Sequence, residues 1–442
     1  MTVRNLIRGR TASAIAASVE TAVHTGALHP GQTLPTVRAL AATLRVSPVT
    51  VATAYRQLRA RGLVLADGRR GTRVRPRTPA PQPLESGSAR TAPDAAFDLA
   101  AGNPDPALLP PLEPVLRTMT ATTDLYGTGP VLPSLRALAL DELAADGIAA
   151  GSLAVVHGAL DAVERLLREH LRPGDRIAVE DPTLPALLDL IAVSGFVAEP
   201  MAIDGEGPLP EALAGALARR VRAVIVTPRA QNPTGAAISS SRAALLTALL
   251  REWPDVLLIE NDAASAIAGV SGVTLSAGAK KWAHVRSVSK FLGPDLRVAF
   301  VAGDALTMAR VAARQAVGTR WVSHLLQQLT VSLWSDPSSG RRLARAADVY
   351  ERRRTAAIEA LTARGIVPTA RSGFNLWIPV REETATVMAL AQRGWAVAAG
   401  ERFRLRSAPG IRVTTSALAP EAALRFAADC AAVLRSSPAA SA

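Results

Sequence analysis

The sequence predicts an α/β protein with a mostly parallel central sheet, preceded by a small basic module of three helices and a two-stranded wing. Three observations carry this. From Phe97 onward short apolar runs alternate with helical runs, the pattern of strands joined by crossover helices. The first 77 residues hold thirteen arginines and no lysine against Glu20 and Asp67, so +11 of the chain's +13 sits there. Between the two regions, residues 75–94 are rich in Pro, Ser, Thr and Arg and cannot bury a core. With 442 residues, 49% of them hydrophobic, the chain can hold one small and one large domain. The expected division is 1–77, a linker at 78–94, and 95–442.

The basic module reads as follows. Ile15, Val19 and Val23 recur at helical spacing within 10–25, and Gly26 and Pro30-Gly31 follow as turns. Thr36 precedes Val37, Leu40 and Leu44, a second helix with an N-cap hydroxyl. Ser47 caps a third helix bearing Val51, Tyr55 and Leu58, with Pro48 in its first turn and Gly62 at its end. Leu63–Leu65 and Thr72–Val74 read as short strands around Asp67-Gly68-Arg69-Arg70-Gly71. A concentrated positive field of this kind points to a polyanion partner.

In the larger region Leu153–Val156, Arg176–Val179, Ala223–Val226, Val256–Ile259 and Val298–Val301 are the expected strands. Ala159–His170 and Arg242–Arg251 are expected helices. Cys430, the single cysteine, lies in an Ala/Leu-rich helical pattern and reads as a small buried hydrophobe. There is no run of apolar residues long enough to span a bilayer and no signal-peptide core, so a soluble, cytoplasmic protein is expected.

The strings Gly31-Gln32-Thr33-Leu34-Pro35-Thr36-Val37-Arg38-Ala39-Leu40-Ala41, Val46-Ser47-Pro48-Val49-Thr50-Val51-Ala52-Thr53-Ala54-Tyr55, Gly62-Leu63-Val64 and Gly71-Thr72-Arg73-Val74 resemble the winged helix of the GntR family of bacterial regulators. The match covers nearly all of residues 8–76. A recognition helix enters the major groove by its N-terminal end. Ser47, Thr50 and Thr53 are short hydrogen-bonding residues at that end of the third helix, and Thr36 and Arg38 open the second. Arg69 and Arg70 at the wing tip are suited to phosphates or a minor groove. These seven are the expected DNA-binding residues; Tyr55 and Val51 read as core.

Residues 97–435 resemble the fold type I, class I aminotransferases, and the two regions together resemble the MocR subfamily within GntR. The motifs are Ser287-Val288-Ser289-Lys290 with Arg297 seven residues on, and Asn232-Pro233-Thr234-Gly235 after a strand. The resemblance implies pyridoxal 5'-phosphate as cofactor, with Lys290 as its Schiff-base lysine. A lysine amine attacks a carbonyl near neutral pH only if its pKa is lowered, which a cationic, partly dry pocket achieves. Arg297, Ser287 and Ser289 are placed to grip the phosphate. His157-Gly158-Ala159-Leu160 matches the turn that offers backbone N–H groups at a helix N-terminus. The resemblance further assigns Asn232 to the cofactor's phenolic oxygen, Tyr126 to a phosphate across a homodimer interface, and Arg412 to a substrate carboxylate. No metal is expected.

Three positions depart from the enzyme pattern. In Leu258-Ile259-Glu260-Asn261-Asp262-Ala263-Ala264, Asn261 aligns with the aspartate that binds the protonated pyridine nitrogen, and a register shift of one residue would give that place to Asp262. Ala263 and Ala264 stand where a tyrosine is usual, and Leu184 where the family mostly has an aromatic residue. These changes weaken catalysis more than binding. The expectation is a transcription regulator that senses an amino compound or a vitamin B6 form, with weak or absent transaminase activity. The alternative is an active aminotransferase carrying a DNA-binding domain.

Overall fold

A computed structural model describes residues 6–29, 31–60, 63–66, 71–74, 97–120 and 124–436. The chain divides into two compact units, and each is described on its own.

The N-terminal unit holds α1 (Ala12–His24), α2 (Val37–Leu44), α3 (Pro48–Ala60), β1 (Val64–Ala66) and β2 (Thr72–Val74). Thr11 caps α1 by accepting a hydrogen bond from Ala14 N at 3.2 Å, and α2 stops where Arg45 turns left-handed at φ 53°. Ile15, Val19, Leu40, Val51, Tyr55 and Leu58 are wholly or almost wholly buried in one cluster between the helices. Tyr55 is tied down at its polar end as well, donating to Pro35 O at 2.7 Å. The wing strands pair antiparallel, Val64 with Val74 and Ala66 with Thr72. Thr33 adds a bridge to Arg73, so the segment before α2 borders the wing. The expected wing tip at Arg69 and Arg70 lies outside the described residues, as does the expected linker.

The larger unit opens with β3 (Phe97–Asp98) and α4 (Pro133–Ala145), then β4 (Leu153–Val156), α5 (Ala159–His170), β5 (Arg176–Asp181), β6 (Val197–Asp204), β7 (Gly207–Pro208), β8 (Ala223–Val226) and α6 (Ser240–Arg251). It continues with β9 (Leu257–Asp262), β10 (Lys281–Ser287), β11 (Ala299–Gly303), α7 (Ala305–Ala316) and α8 (Pro337–Thr362). It closes with β12 (Asn375–Pro379), β13 (Trp395–Ala396), β14 (Ala398–Ala399), β15 (Gly410–Thr414) and α9 (Pro420–Ser436). Among the described residues the main sheet runs β4-β11-β10-β9-β8-β5-β6-β7. Strands β5, β8, β9 and β10 are mutually parallel, while β11 runs against both β10 and β4. A smaller sheet, β12-β15-β14, packs its Leu376, Ile378, Ile411 and Val413 with Phe426 and Cys430 of α9.

Strand register fixes which side chains share a face. Val285 pairs with Asn261 and Val301, and Ser287 with Ala299, so these line one face of the main sheet. Arg286, Asp262 and Phe300 line the other, over α4 and a core of Leu143, Leu153, Val155 and Phe300. The strand β10 was not among those expected. Its sequence, Lys281-Trp282-Ala283-His284-Val285-Arg286-Ser287, hides an interior strand because His284 and Arg286 are buried ionic residues rather than apolar ones.

Candidate functional site

In the N-terminal unit the expected DNA-binding residues gather at the starts of α2 and α3. The Thr36 hydroxyl accepts from Ala39 N at 3.2 Å and Ser47 Oγ from Val49 N at 3.2 Å, so both residues cap their helices. Thr36, Arg38 and Ser47 are exposed, while Thr50 and Thr53 are half-buried. Thr53 Oγ1 also accepts from Arg56 Nη2 at 3.0 Å, which holds a cation on the outer side of α3. Val49 leaves 70% of its surface exposed in the first turn of α3. It passed unnoticed in the sequence, where a branched apolar residue at helical spacing reads as core.

The larger unit has two poles at the C-terminal ends of its parallel strands, where open α/β sheets bind ligands. The first is cationic and shaped for a dianion. Gly158 has φ +97°, a conformation that favours glycine, and a Cβ there would also crowd Arg297 Nη2 at 2.6 Å. Arg297 donates to His157 O at 3.2 Å from a left-handed backbone at φ 51°. Ala159 and Leu160 open α5, where backbone N–H groups lack helical partners. Asp161 in the same turn already accepts from His157 N and from Arg165 Nε, at 2.9 and 2.8 Å. Ser287 Oγ donates to Ser289 Oγ at 3.0 Å and accepts from Ser289 N at 3.2 Å, ordering the turn that carries Lys290.

The second pole surrounds that lysine. Lys290 Nζ donates to Gly102 O at 2.8 Å and lies 5.9 Å from the centre of the Phe374 ring. Burial, helped by the Arg412 guanidinium, brings its pKa down to about 8. Arg412, on β15, is itself buried and lowered to about 10 by desolvation. It donates to Asn232 Oδ1 at 3.2 Å and to Ala100 O, and stacks 4.9 Å from the centre of the Phe403 ring. Lys290, Asn232 and Arg412, three residues distant in sequence, therefore meet. The backbone of Ala100 and Gly102 completes the group. Asp98 shapes that turn by accepting from Ala100 N and Ala101 N. A Cβ on Gly102 would stand 2.9 Å from Arg412 Nη1. The backbone carbonyls of Ala100 and Gly102 carry no sequence signature.

At the end of β9 the neighbouring polar residues part. The Asp262 carboxylate accepts from Arg229 Nη2 at 2.8 Å, and Arg286 Nη2 stands 3.1 Å away. Both arginines also bind Asp146, each at 2.5 Å. Although burial alone would raise its pKa, the His284 hydrogen bond and these two cations hold Asp262 well below the usual carboxylate range. Asn261 is buried on the opposite face, and its Oδ1 has no hydrogen-bond partner. Ala263 is half-buried and Ala264 buried beside it.

Two further carboxylates flank the pocket on β5. Glu180 accepts from Thr227 N at 2.9 Å and from Gln231 Nε2 at 3.2 Å, and burial raises its pKa to about 7. Asp181 accepts from Leu405 N, Arg406 N and Ser407 N at 2.8, 2.7 and 2.9 Å, and from Ser407 Oγ. Leu184 is half-buried just beyond. Tyr126 stands apart from this group: 82% exposed, it packs edge-on to Trp321 at 5.9 Å with Arg320 over its ring.

These residues fit pyridoxal phosphate. The glycine cradle beside Arg297 suits a phosphate, the lowered lysine suits an aldehyde, and the Asn261 amide offers an unused polar atom on the Ser287 face. Fold and sites together define a winged-helix regulator carrying a fold type I aminotransferase body. Residues 11–74 match the model of bacterial regulatory proteins of the gntR family. Over 428 residues, 96% of the chain and 98% of its counterpart, the sequence is 41% identical to the vitamin B6 salvage pathway transcriptional repressor PtsJ of Salmonella typhimurium. It is 31% identical over 245 residues to the pyridoxine biosynthesis transcriptional regulator PdxR of Corynebacterium glutamicum, covering 54% of the chain and 53% of PdxR. The fold resembles the multiple substrate aminotransferase of Thermococcus profundus at a TM-score of 0.71 and 20% identity, over 80% of this chain and 95% of that one. The chain belongs to the MocR-type regulators of the GntR family. Among the described residues no helix is long and apolar enough to cross a membrane.

Proposed function

We propose that this regulator binds DNA through its winged helix and pyridoxal phosphate through Lys290, and that it controls genes of vitamin B6 supply in response to a B6 form or an amino compound. The observation that carries the reading is the Lys290–Gly102–Arg412–Asn232 group, in a chain 41% identical to a B6 salvage repressor along nearly its whole length. The cofactor supplies an electrophilic aldehyde carbon. Lys290, with a pKa of about 8, keeps an appreciable fraction of neutral amine near neutral pH. Arg412 is the counter-charge for an effector carboxylate, and Asn232 holds it in line. Arg297 and the first N–H groups of α5 receive the phosphate. Thr36, Arg38, Ser47, Thr50 and Thr53 contact the operator, together with Arg69 and Arg70.

An effector regulates only through unequal contacts with two states of the protein. An amine that took the place of Lys290 on a bound cofactor would leave the lysine free and change the charge beside Arg412. The exposed Leu125 and the Tyr126–Trp321 ring pair form an apolar patch suited to a second copy of this chain, and Tyr126 then reaches the partner's phosphate. The function is tested by adding pyridoxal phosphate to the purified protein and following both the visible spectrum and binding to its promoter. A visible band with altered promoter affinity supports it; no band overturns it. Light scattering at micromolar concentration tests the homodimer, and a cofactor-loaded monomer refutes it.

A further inference from the structure

The end of β9 says more about how the ring is read. An aspartate under a pyridine nitrogen keeps that nitrogen protonated and makes the ring an electron sink. Here both acids that flank Asn261 on β9 are committed elsewhere. Asp262 sits between Arg229 and Arg286, and Glu260, on the same face, accepts from Leu275 N at 2.7 Å and from Thr274 Oγ1 at 2.8 Å, with His284 Nδ1 3.3 Å away. Side chains alternate along a strand, so bringing Asp262 to the other face demands a one-residue slip of β9. That slip would turn Glu260 and Asp262 away together and leave two buried guanidiniums with Asp146 alone as counter-charge, which is strongly unfavourable. The register is therefore locked with Asn261 toward the Ser287 face.

The charged groups around the pocket reinforce the point. Lys290, Arg412 and Arg297 are cationic. Asp161 is spent on His157 N and Arg165, and Asp98 on the turn before Gly102. On the far face of β9, Arg229 and Arg286 balance Asp146 and Asp262, and Glu260 is matched with His284. On β5, Glu180 is bonded to Thr227 N and Gln231 with its pKa raised by burial to about 7, and Asp181 is taken up by residues 405–407. No uncommitted carboxylate is left among these groups to hold a pyridinium. A carboxamide has no charge with which to hold a pyridinium, and its two ends exchange by a half-turn of the amide, so with Oδ1 unpaired Asn261 is free to present its NH2 to a neutral pyridine nitrogen.

We propose that Asn261 holds the bound vitamin B6 ring with its pyridine nitrogen unprotonated, making the pocket a reader of the neutral ring that leaves the α-proton of a bound amine in place. This rests on the reading of Lys290 as the cofactor's anchor and specifies how that site senses without turnover.

The test uses the full-length protein and pyridoxal phosphate labelled with 15N in the ring. The expected 15N signal is that of an unprotonated pyridine from pH 6 to 9. Asn261→Asp should move it to the pyridinium position at neutral pH. It should also raise single-turnover formation of pyridoxamine phosphate from an added L-amino acid at least tenfold. A visible band with a pyridinium signal in the unaltered protein overturns the inference alone. Absence of any band on adding the cofactor overturns the site reading and the inference with it. Should Asn261→Asp fail to fold, the 15N spectrum of the unaltered protein decides, and Asn261→Ala gives a second check, since it should weaken cofactor binding without protonating the ring.

Discussion

At the scale of single residues, the pocket works by placing cations close together. Lys290 owes its lowered pKa first to burial and then to Arg412. Replacing Arg412 with Gln removes the second cause, so the lysine pKa should rise above about 8. The pH midpoint for borohydride trapping of added pyridoxal phosphate reports this directly; a midpoint that stays put would place the cause in burial alone. Lys290→Ala should abolish the visible band while far-ultraviolet circular dichroism stays unchanged, and a retained, reducible band would assign the cofactor to another lysine. The sequence was informative here. Lys290, Arg297 and Asn232 stood in recognisable strings, and the structure brings Lys290 and Asn232 together around Arg412. The Ala100 and Gly102 carbonyls were not legible, because a backbone acceptor leaves no trace in residue identity. Nor were Arg229 and Arg286, whose partners are distant in sequence.

At the scale of elements, legibility followed apolar pattern. α5 was read at its true bounds and β8 likewise, because each is a clean apolar or amphipathic run. β10 was missed since its interior side chains pair ionically. The end of β5 provides a test of how buried charge governs stability. Glu180 has a pKa of about 7 in the folded chain against an ordinary 4.5, so the native state binds its proton more tightly than the unfolded state does. Its stabilising contribution is complete below about pH 4.5 and is lost as pH rises through about 7. Glu180→Gln should therefore flatten the decline in stability across that window, by on the order of 3 kcal/mol. Urea midpoints measured from pH 4.5 to 8 check this, and parallel profiles in both proteins would count against it.

At the scale of the whole molecule, the division between a basic reader and a nearly neutral body was plain from charge alone, since +11 of +13 lies in residues 1–77. DNA affinity of the full chain should fall by orders of magnitude between about 50 and 200 mM salt, as expected when several phosphates are neutralised. Arg38→Ala should lower the slope of log affinity against log salt by about 1, and an unchanged slope would remove Arg38 from the phosphate contacts. The body was legible as an α/β fold through strand and helix alternation. Its smaller sheet was not, because β14 is only two residues long and leaves no period, and the β13–β3 pair was hidden for the same reason. One arrangement there has a mechanical consequence. Glu180 grips Gln231, next to Asn232, while Asp181 grips residues 405–407, shortly before Arg412, and Asn232 and Arg412 then bond each other. The result is a closed linkage with its fulcrum at two adjacent residues of β5. A closed linkage has few ways to deform: a ligand that draws Arg412 toward itself must either break a joint or carry β15 with it. Displacement at the pocket thus arrives at the small sheet as translation of a rigid arm, and the stiffness of that arm is set by four hydrogen bonds to one carboxylate.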